Sequence, residues 1–246
     1  MWEWNLNFFI TFFWLFLSAG LLLLGMWFLL DSQMDLSRMN PILQYLNFYD
    51  KLSNNGLISK WYFLHIYLLG LVINFFLFFS HLSYFLLFIL FLLHLIRRLY
   101  ECLYVHQFTG NVNLLYYLIG LIHYPCVGLT IITDYNYSSN KIHLSKYFLA
   151  LILFFLASYI QYHVHLTLAK FIRNEQPTGY WLSSPNSIAE IFIYLSFLLA
   201  SHRTSAMTAL MVWVFVNQSF STLLNHRWYY RDFYPLKRSA LIPFIL

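Results

Sequence analysis

Long apolar runs separated by short polar breaks recur from one end of the sequence to the other. Runs rich in Phe, Leu, Ile and Tyr predict seven helices, at about Phe8–Leu30, Trp61–Phe79, Leu82–Tyr104, Leu114–Ile132, Tyr147–Phe171, Ile188–His202 and Ser205–Leu224. Crossing a hydrocarbon layer of roughly 30 Å takes about 20 apolar residues, a length that most of these runs approach or exceed. The sixth is short, and its separation from the seventh rests on the polar break His202-Arg203-Thr204, so tilted, re-entrant and partly interfacial placements stay open for it. The stretch Asp31–Lys60 carries Pro41, Asn54-Asn55-Gly56 and balanced charge, the pattern of a solvated connector.

Composition turns these helices into membrane spans. Of 246 residues, 61% are hydrophobic, 22% aromatic and 9% charged, too few polar side chains to cover a water-soluble globule. The fold class expected is an all-α integral membrane protein with about seven transmembrane helices, a single multi-span domain over residues 1–246 with no separate soluble unit. The first run is longer than a signal-peptide core and Glu3 is the only charge before it, so a retained helix is expected. Cys102 and Cys126 fall in different helices without C-x-x-C spacing, which points to packing residues rather than a disulfide framework or a zinc ribbon. Neither G-x-G-x-x-G nor G-x-x-x-x-G-K-[ST] occurs, so no Rossmann or P-loop device holds a nucleotide.

Charge then orients the chain. With seven spans the termini lie on opposite sides, and a cytosolic C-terminus puts Arg38, Lys51, Lys60, Arg97, Arg98, Lys170, Arg173 and the tail cations inside. Only Lys141, Lys146 and Arg203 then face outward, the bias of the positive-inside rule, which makes the N-terminus lumenal and the C-terminus cytosolic. The sequon Asn136-Tyr137-Ser138 falls on the lumenal side, between helices four and five.

On this topology the polar residues inside the spans share one depth. Arg97, Arg98 and Glu101 lie in the inner half of helix three, Gln161, His163 and His165 in that of helix five, Asn186 and Glu190 at the inner start of helix six, and Asn225, His226 and Tyr229 after the inner end of helix seven. Intramembrane ionisable groups are costly unless they pair or line a wet cavity, so four helices contributing them on one side indicate a pocket open to the cytosol. Arg98 and Glu101, at i,i+3, form a pair that can be buried, with Arg97 pointing elsewhere. His163 and His165, at i,i+2, diverge around the helix, and no metal site is expected. His94 and His123 read as core residues, while the aromatic neighbours of His65 could wall a pocket around it. The last stretch, Asn225–Leu246, turns basic and aromatic and forms a cytosolic cap with His226, Arg227, Arg231, Lys237 and Arg238 among Trp228, Tyr229, Tyr230, Phe233 and Tyr234. It calls for an anionic partner.

The tail segments His226-Arg227-Trp228-Tyr229 and Tyr234-Pro235-Leu236-Lys237-Arg238-Ser239-Ala240-Leu241-Ile242-Pro243-Phe244 resemble the C-terminal pattern of the steroid 5-alpha-reductase superfamily. Arg97-Arg98-Leu99-Tyr100-Glu101 and Ser184-Pro185-Asn186 through Glu190-Ile191, with Tyr194-Leu195-Ser196, resemble its polyprenol (polyprenal) reductase branch, and the likeness covers about residues 60–246. That resemblance implies an endoplasmic reticulum, multi-pass membrane reductase. It would use NADPH to saturate the α-isoprene unit of a long-chain polyisoprenoid, feeding dolichol synthesis and N-glycosylation. It also implies that His165, Asn186, Glu190, Asn225, His226, Tyr229, Lys237 and Arg238 hold the cofactor. His65 stands where steroid-reducing relatives place a carboxylate on the substrate carbonyl, and Arg98 with Glu101 would orient His65 or the nicotinamide. The chain departs from the family pattern by a shorter stretch before Ser184 and by Ile172, next to Arg173, where relatives carry an arginine.

The partners expected are therefore the polyisoprenoid and membrane lipid, with no nucleic acid and no metal, and an obligate protein partner is left open. The alternatives are a 3-oxo-steroid 4-ene or enoyl-CoA reductase of the same superfamily. In a different class stands a seven-helix receptor or transporter whose tail contacts anionic lipid. A receptor leaves the buried Arg98, Glu101, Asn186 and Glu190 without a task.

Overall fold

The computed structural model describes residues 2–33, 57–80, 85–105, 111–137, 144–174 and 185–232. Seven long helices occur among them in the predicted order: α1 (Trp2–Gln33), α2 (Phe63–Ser80), α3 (Phe85–Tyr100), α4 (Leu114–Tyr137), α5 (Leu144–Asn174), α6 (Pro185–Ala200) and α7 (Ser205–Asp232). Four contain stretches long and apolar enough to cross a membrane: Asn5–Leu23, Phe63–Ser80, Tyr116–Asp134 and Leu144–Lys170. The sixteen residues of α3 and of α6 reach about 24 Å at 1.5 Å per residue, less than the hydrocarbon thickness.

Several helix ends differ from the sequence expectation, because hydropathy locates the apolar part of a helix and not its last hydrogen bond. α1 starts at Trp2 and ends at Gln33, beyond its apolar run at both ends. α7 continues to Asp232 rather than ending at Leu224, since nothing between Asn225 and Asp232 breaks a helix and the first proline is Pro235. The sequon asparagine Asn136 lies in the last turn of α4 rather than in a connecting loop. A small ribbon was not foreseen. Leu57–Ser59 (β1) pairs antiparallel with Asn111–Asn113 (β2), Ile58 opposite Val112, and strands of three residues carry too little alternation to register in sequence. β2 runs straight into α4, and β1 reaches α2 through one 3₁₀ turn, Lys60–Tyr62, so the ribbon ties two helix starts together.

Those two helices pack closely along their length. A Cβ on Gly70 would stand 2.7 Å from the Cβ of Tyr124, and one on Gly128 would stand 1.8 Å from Asn74 Oδ1. Small residues at such a seam let backbones approach where lipid supplies no hydrophobic drive. The wholly buried Asn74 then bridges it, its Nδ2 donating to the carbonyls of Gly70 (2.7 Å) and Tyr124 (3.0 Å). α1 closes the bundle against α7 and α4, with Trp14 Nε1 donating to Thr130 Oγ1 at 3.0 Å. Phe88, Phe91, Ile193 and Phe197 fill the interior, whereas Phe12, Phe16, Phe76, Phe79, Phe148 and Phe155 face outward. An outward face so apolar suits lipid and would aggregate in water.

At one end of the bundle Asp134, buried near the end of α4, fixes the turn between α6 and α7. It accepts from the N–H of His202 (2.7 Å), the N–H of Thr204 (3.0 Å) and the Thr204 hydroxyl (2.8 Å). Arg203 between them adopts φ 61°, uncommon for a non-glycine residue, and its N–H donates to Ser201 Oγ at 3.1 Å. The polar break that separates helices six and seven in the sequence is this turn.

Replacing Gly128 by alanine is expected to destabilise the protein by about 1–3 kcal/mol, the usual range for overpacking. The Gly20→Ala change in α1, where nothing lies within 4 Å of an added Cβ, is expected to leave the thermal transition in detergent unmoved. Equal transitions for the two variants would dissolve the account of the seam.

Candidate active site

The opposite end of the bundle holds the buried charges. α3 ends on Arg97, Arg98 and Tyr100, and a single π-helical turn, Glu101–Val105, follows. Glu101 is 0% exposed. Arg97 Nη1 donates to its Oε1 at 2.6 Å, and Arg98 Nη1 to its Oε2 at 2.9 Å. His165 Nδ1 of α5 donates to the same Oε2 at 2.8 Å. Residues three and four apart share a helix face, so both arginines reach the carboxylate. The expectation that Arg97 points elsewhere is therefore corrected.

The network extends to α6 through one amide. Arg97 Nη2 donates to Gln161 Oε1, and Gln161 Nε2 donates to Glu190 Oε2 at 2.5 Å and to Asn186 Oδ1 at 2.9 Å. α6 begins at Pro185, which suits the first turn of a helix because its missing N–H would be unpaired there anyway. That start places Asn186 and Glu190 one turn apart on the face toward α5. His94, a turn before Arg97 and 0% exposed, accepts at Nδ1 from Arg97 Nη2 (3.2 Å). A guanidinium only donates, so the His94 proton is on Nε2, which lies 3.4 Å from Glu190 Oε1, close enough for attraction though without hydrogen-bond alignment.

Two guanidiniums and two carboxylates thus meet across three helices with no net charge, which is what permits their burial. The clamp is not sealed. The side chains of Arg97 and Arg98 are 17% and 13% exposed, and the Nε–H of each has no acceptor among the described residues. Arg98 also turns toward α2, donating from Nη2 to the Tyr67 hydroxyl at 2.7 Å with its guanidinium carbon 5.2 Å from the ring centre. Beside it, Trp213 Nε1 donates to His123 Nδ1 (3.3 Å), which sets the His123 proton on Nε2, directed to the Tyr194 hydroxyl at 2.9 Å. Among the described residues no group of three or more His, Cys, Asp or Glu side chains could hold a metal ion.

Of the residues singled out in the sequence, Arg98, Glu101, His165, Asn186 and Glu190 come together. His65 does not join them. It is exposed on the other side of α2, 3.4 Å from the Tyr117 hydroxyl, at a shallow groove of about 350 Å³ lined by Leu68, Leu69, Val72 and Leu121. The group that Arg98 reaches on α2 is Tyr67. Asn225, His226 and Tyr229 belong to the last turns of α7, where side chains lie outside the described residues, as do Lys237 and Arg238 entirely. The sequence reading left Tyr67 out, and its reading of His94 as a core residue holds, with Arg97 as the hydrogen-bond partner. His94 had a usable signal: it stands seven residues before Glu101, on the stripe that also carries Arg97 and Arg98.

Truncating Glu101 to alanine removes the acceptor shared by Arg97, Arg98 and His165 and is expected to cost about 3–5 kcal/mol, because two cations then lack their partner. Thermal unfolding of the detergent-solubilised variant measures this, and an unchanged transition would show that the clamp carries no stability.

A family model described as 3-oxo-5-alpha-steroid 4-dehydrogenase matches residues 117–246, more than half of the chain. The polyprenal reductase of Rattus norvegicus is 32% identical over 177 residues, 61% of this chain and 54% of that protein. The polyprenal reductases of Homo sapiens and Xenopus tropicalis are 32% and 33% identical, each over 61% of this chain and over 56% and 57% of their own lengths. The matched part spans little more than half the length of these curated relatives. With the family model covering residues 117–246, the chain belongs to the 3-oxo-5-alpha-steroid 4-dehydrogenase family.

Proposed function

We propose that this chain is an NADPH-dependent reductase of the endoplasmic reticulum membrane that saturates the α-isoprene double bond of a polyprenal, a step toward dolichol and N-glycosylation. The observation that carries the reading is the charge-balanced cluster of Arg97, Arg98, Glu101, Gln161, Asn186 and Glu190, in a family of reductases whose similar members are named polyprenal reductase. Seven spans with a lumenal N-terminus would set this cluster on the cytosolic side, where the dinucleotide is. α7 starts at the Asp134 turn and runs back toward the same end, so the basic tail that follows it would cap the cluster.

The described residues fit the polar, uncharged parts of a nicotinamide dinucleotide. The amide of Asn186, the carboxylate of Glu190 and the spare Arg97 and Arg98 Nε–H donors can meet carboxamide and ribose hydroxyl groups. Phosphates need cations that are not already neutralised, and these would be Lys237 and Arg238, with Asn225, His226 and Tyr229 beside them. When bound, NADPH would supply hydride to the β-carbon of an alkene conjugated with a carbonyl, and the α-carbon would take a proton from solvent. A free alcohol offers no such conjugation, so the aldehyde is the better acceptor. His165 would act by holding Glu101, and thereby Arg98, in place. His65 would stand at the lipid-facing groove, whose apolar walls suit an isoprenoid chain arriving from the bilayer.

The decisive experiment gives purified protein NADPH with a polyprenal, a 3-oxo-4-ene steroid or an enoyl-CoA and follows loss of the reduced nicotinamide. Consumption is expected with the polyprenal alone. Preference for the steroid or thioester would move the chain to another activity of the family, and folded, cofactor-binding protein inert toward every polyprenal would sink the proposal. Tyr229→Phe and Arg238→Ala are expected to weaken NADPH binding roughly 10- to 100-fold, the loss of one charge-assisted hydrogen bond. Unchanged affinity in direct titration would remove the tail from the cofactor site.

A further inference from the structure

Tyr67 is 8% exposed and sits on the side of α2 turned away from His65. Its hydroxyl receives Arg98 Nη2 at 2.7 Å, and since a guanidinium has no acceptor, the phenol oxygen must be the acceptor in that bond. The phenol's own proton is then free to be donated, and no described residue accepts it. A buried O–H needs an acceptor, from a ligand or a water, to be satisfied. The Tyr124 ring, 5.3 Å away centre to centre, walls the phenol on the α4 side, and the guanidinium beside its oxygen would stabilise any negative charge drawn toward it.

We propose that the Tyr67 hydroxyl is the donor that binds the carbonyl oxygen of the conjugated aldehyde, with Arg98 as the positioning group that polarises it. This rests on the reductase reading above. The donation is a hydrogen bond and not a proton transfer: the bond strengthens as negative charge gathers on the oxygen during reduction, and the phenol keeps its proton. His65, on the opposite side of the helix and in no contact with Arg98 or Glu101, then has a separate place at the lipid groove. A phenol serves here because it offers a single directed donor with little loss of side-chain freedom, and the arginine behind it, 13% exposed, is only partly screened by solvent.

The test uses the full chain in lipid nanodiscs with Tyr67→Phe and His65→Ala. Tyr67→Phe is expected to lower kcat about 100-fold or more, the usual loss for one such donor, with NADPH affinity unchanged. A structural role for Tyr67 would displace Arg98 and weaken the cofactor as well. A second readout needs no turnover. Wild-type protein is expected to bind a saturated polyprenyl aldehyde about tenfold more tightly than the hydrocarbon of equal length, and Tyr67→Phe is expected to erase that difference. His65→Ala is expected to keep it. Tyr67→Met serves the same purpose should the phenylalanine variant not accumulate. Turnover within twofold of wild type, or an intact preference for the aldehyde, would overturn the assignment to Tyr67 while leaving the reductase standing. Wild-type protein that neither reduces the polyprenal nor prefers the aldehyde would overturn both.

Discussion

Burial of Glu101 is the constraint from which the rest of the site follows. A carboxylate with no solvent exposure costs several kcal/mol unless its lone pairs are filled, and here two guanidiniums and an imidazole fill them. Satisfying it fixes the end of α3 against α5. It also overshoots, since two arginines bring more positive charge than one carboxylate removes. Glu190 restores neutrality from α6, reached through Gln161 and His94. The balancing charge comes from α6, while α5 bridges the two acids through the neutral amide of Gln161.

The helix geometry makes this possible at low cost. His94, Arg97, Arg98 and Glu101 lie along one stripe of α3, so the backbone that orders one of them orders all four. The π turn at Glu101–Val105 falls where the stripe meets α5, and local widening of a helix of this kind is common at functional positions. At the opposite end Asp134 gathers the backbone of the α6–α7 turn with one carboxylate. The two ends of the bundle thus use buried acids differently: one holds mainly backbone donors, the other side-chain donors.

How much of this was legible in the sequence depended on the range of each interaction. The seven helices followed from hydropathy alone, because a lipid-facing helix announces itself over about 20 residues. The gathering of Arg98, Glu101, His165, Asn186 and Glu190 followed from depth, since topology puts alternate helix ends on one side. What failed was azimuth. Arg97 was turned away from Glu101, which it bonds, and of the two groups that Arg98 with Glu101 could orient, His65 or the nicotinamide, His65 stands on the other side of α2. In helices apolar on nearly every face, as α2 is, hydrophobic periodicity carries no directional signal, so nothing in the sequence distinguishes the lipid side at His65 from the inner side at Tyr67. Helix ends and the three-residue strands were lost for a simpler reason: their hydrogen bonds leave no trace in hydropathy.

Azimuth is instead set by the seam between α2 and α4. Gly70 lets the Tyr124 Cβ approach to a distance that any side chain at that position would forbid, and Asn74 clasps the Tyr124 carbonyl one turn farther along. With that approach fixed, α2 cannot rotate without driving Asn74 into Gly128, so Tyr67 must face inward against Tyr124 and Arg98 while His65 faces out. The choice of which α2 residue meets the charged cluster is therefore made by Gly70, less than one turn from Tyr67, and by Gly128, which faces Asn74 about two turns along α2. A substitution that widened this seam would disturb the donor geometry without touching a single polar atom of the site.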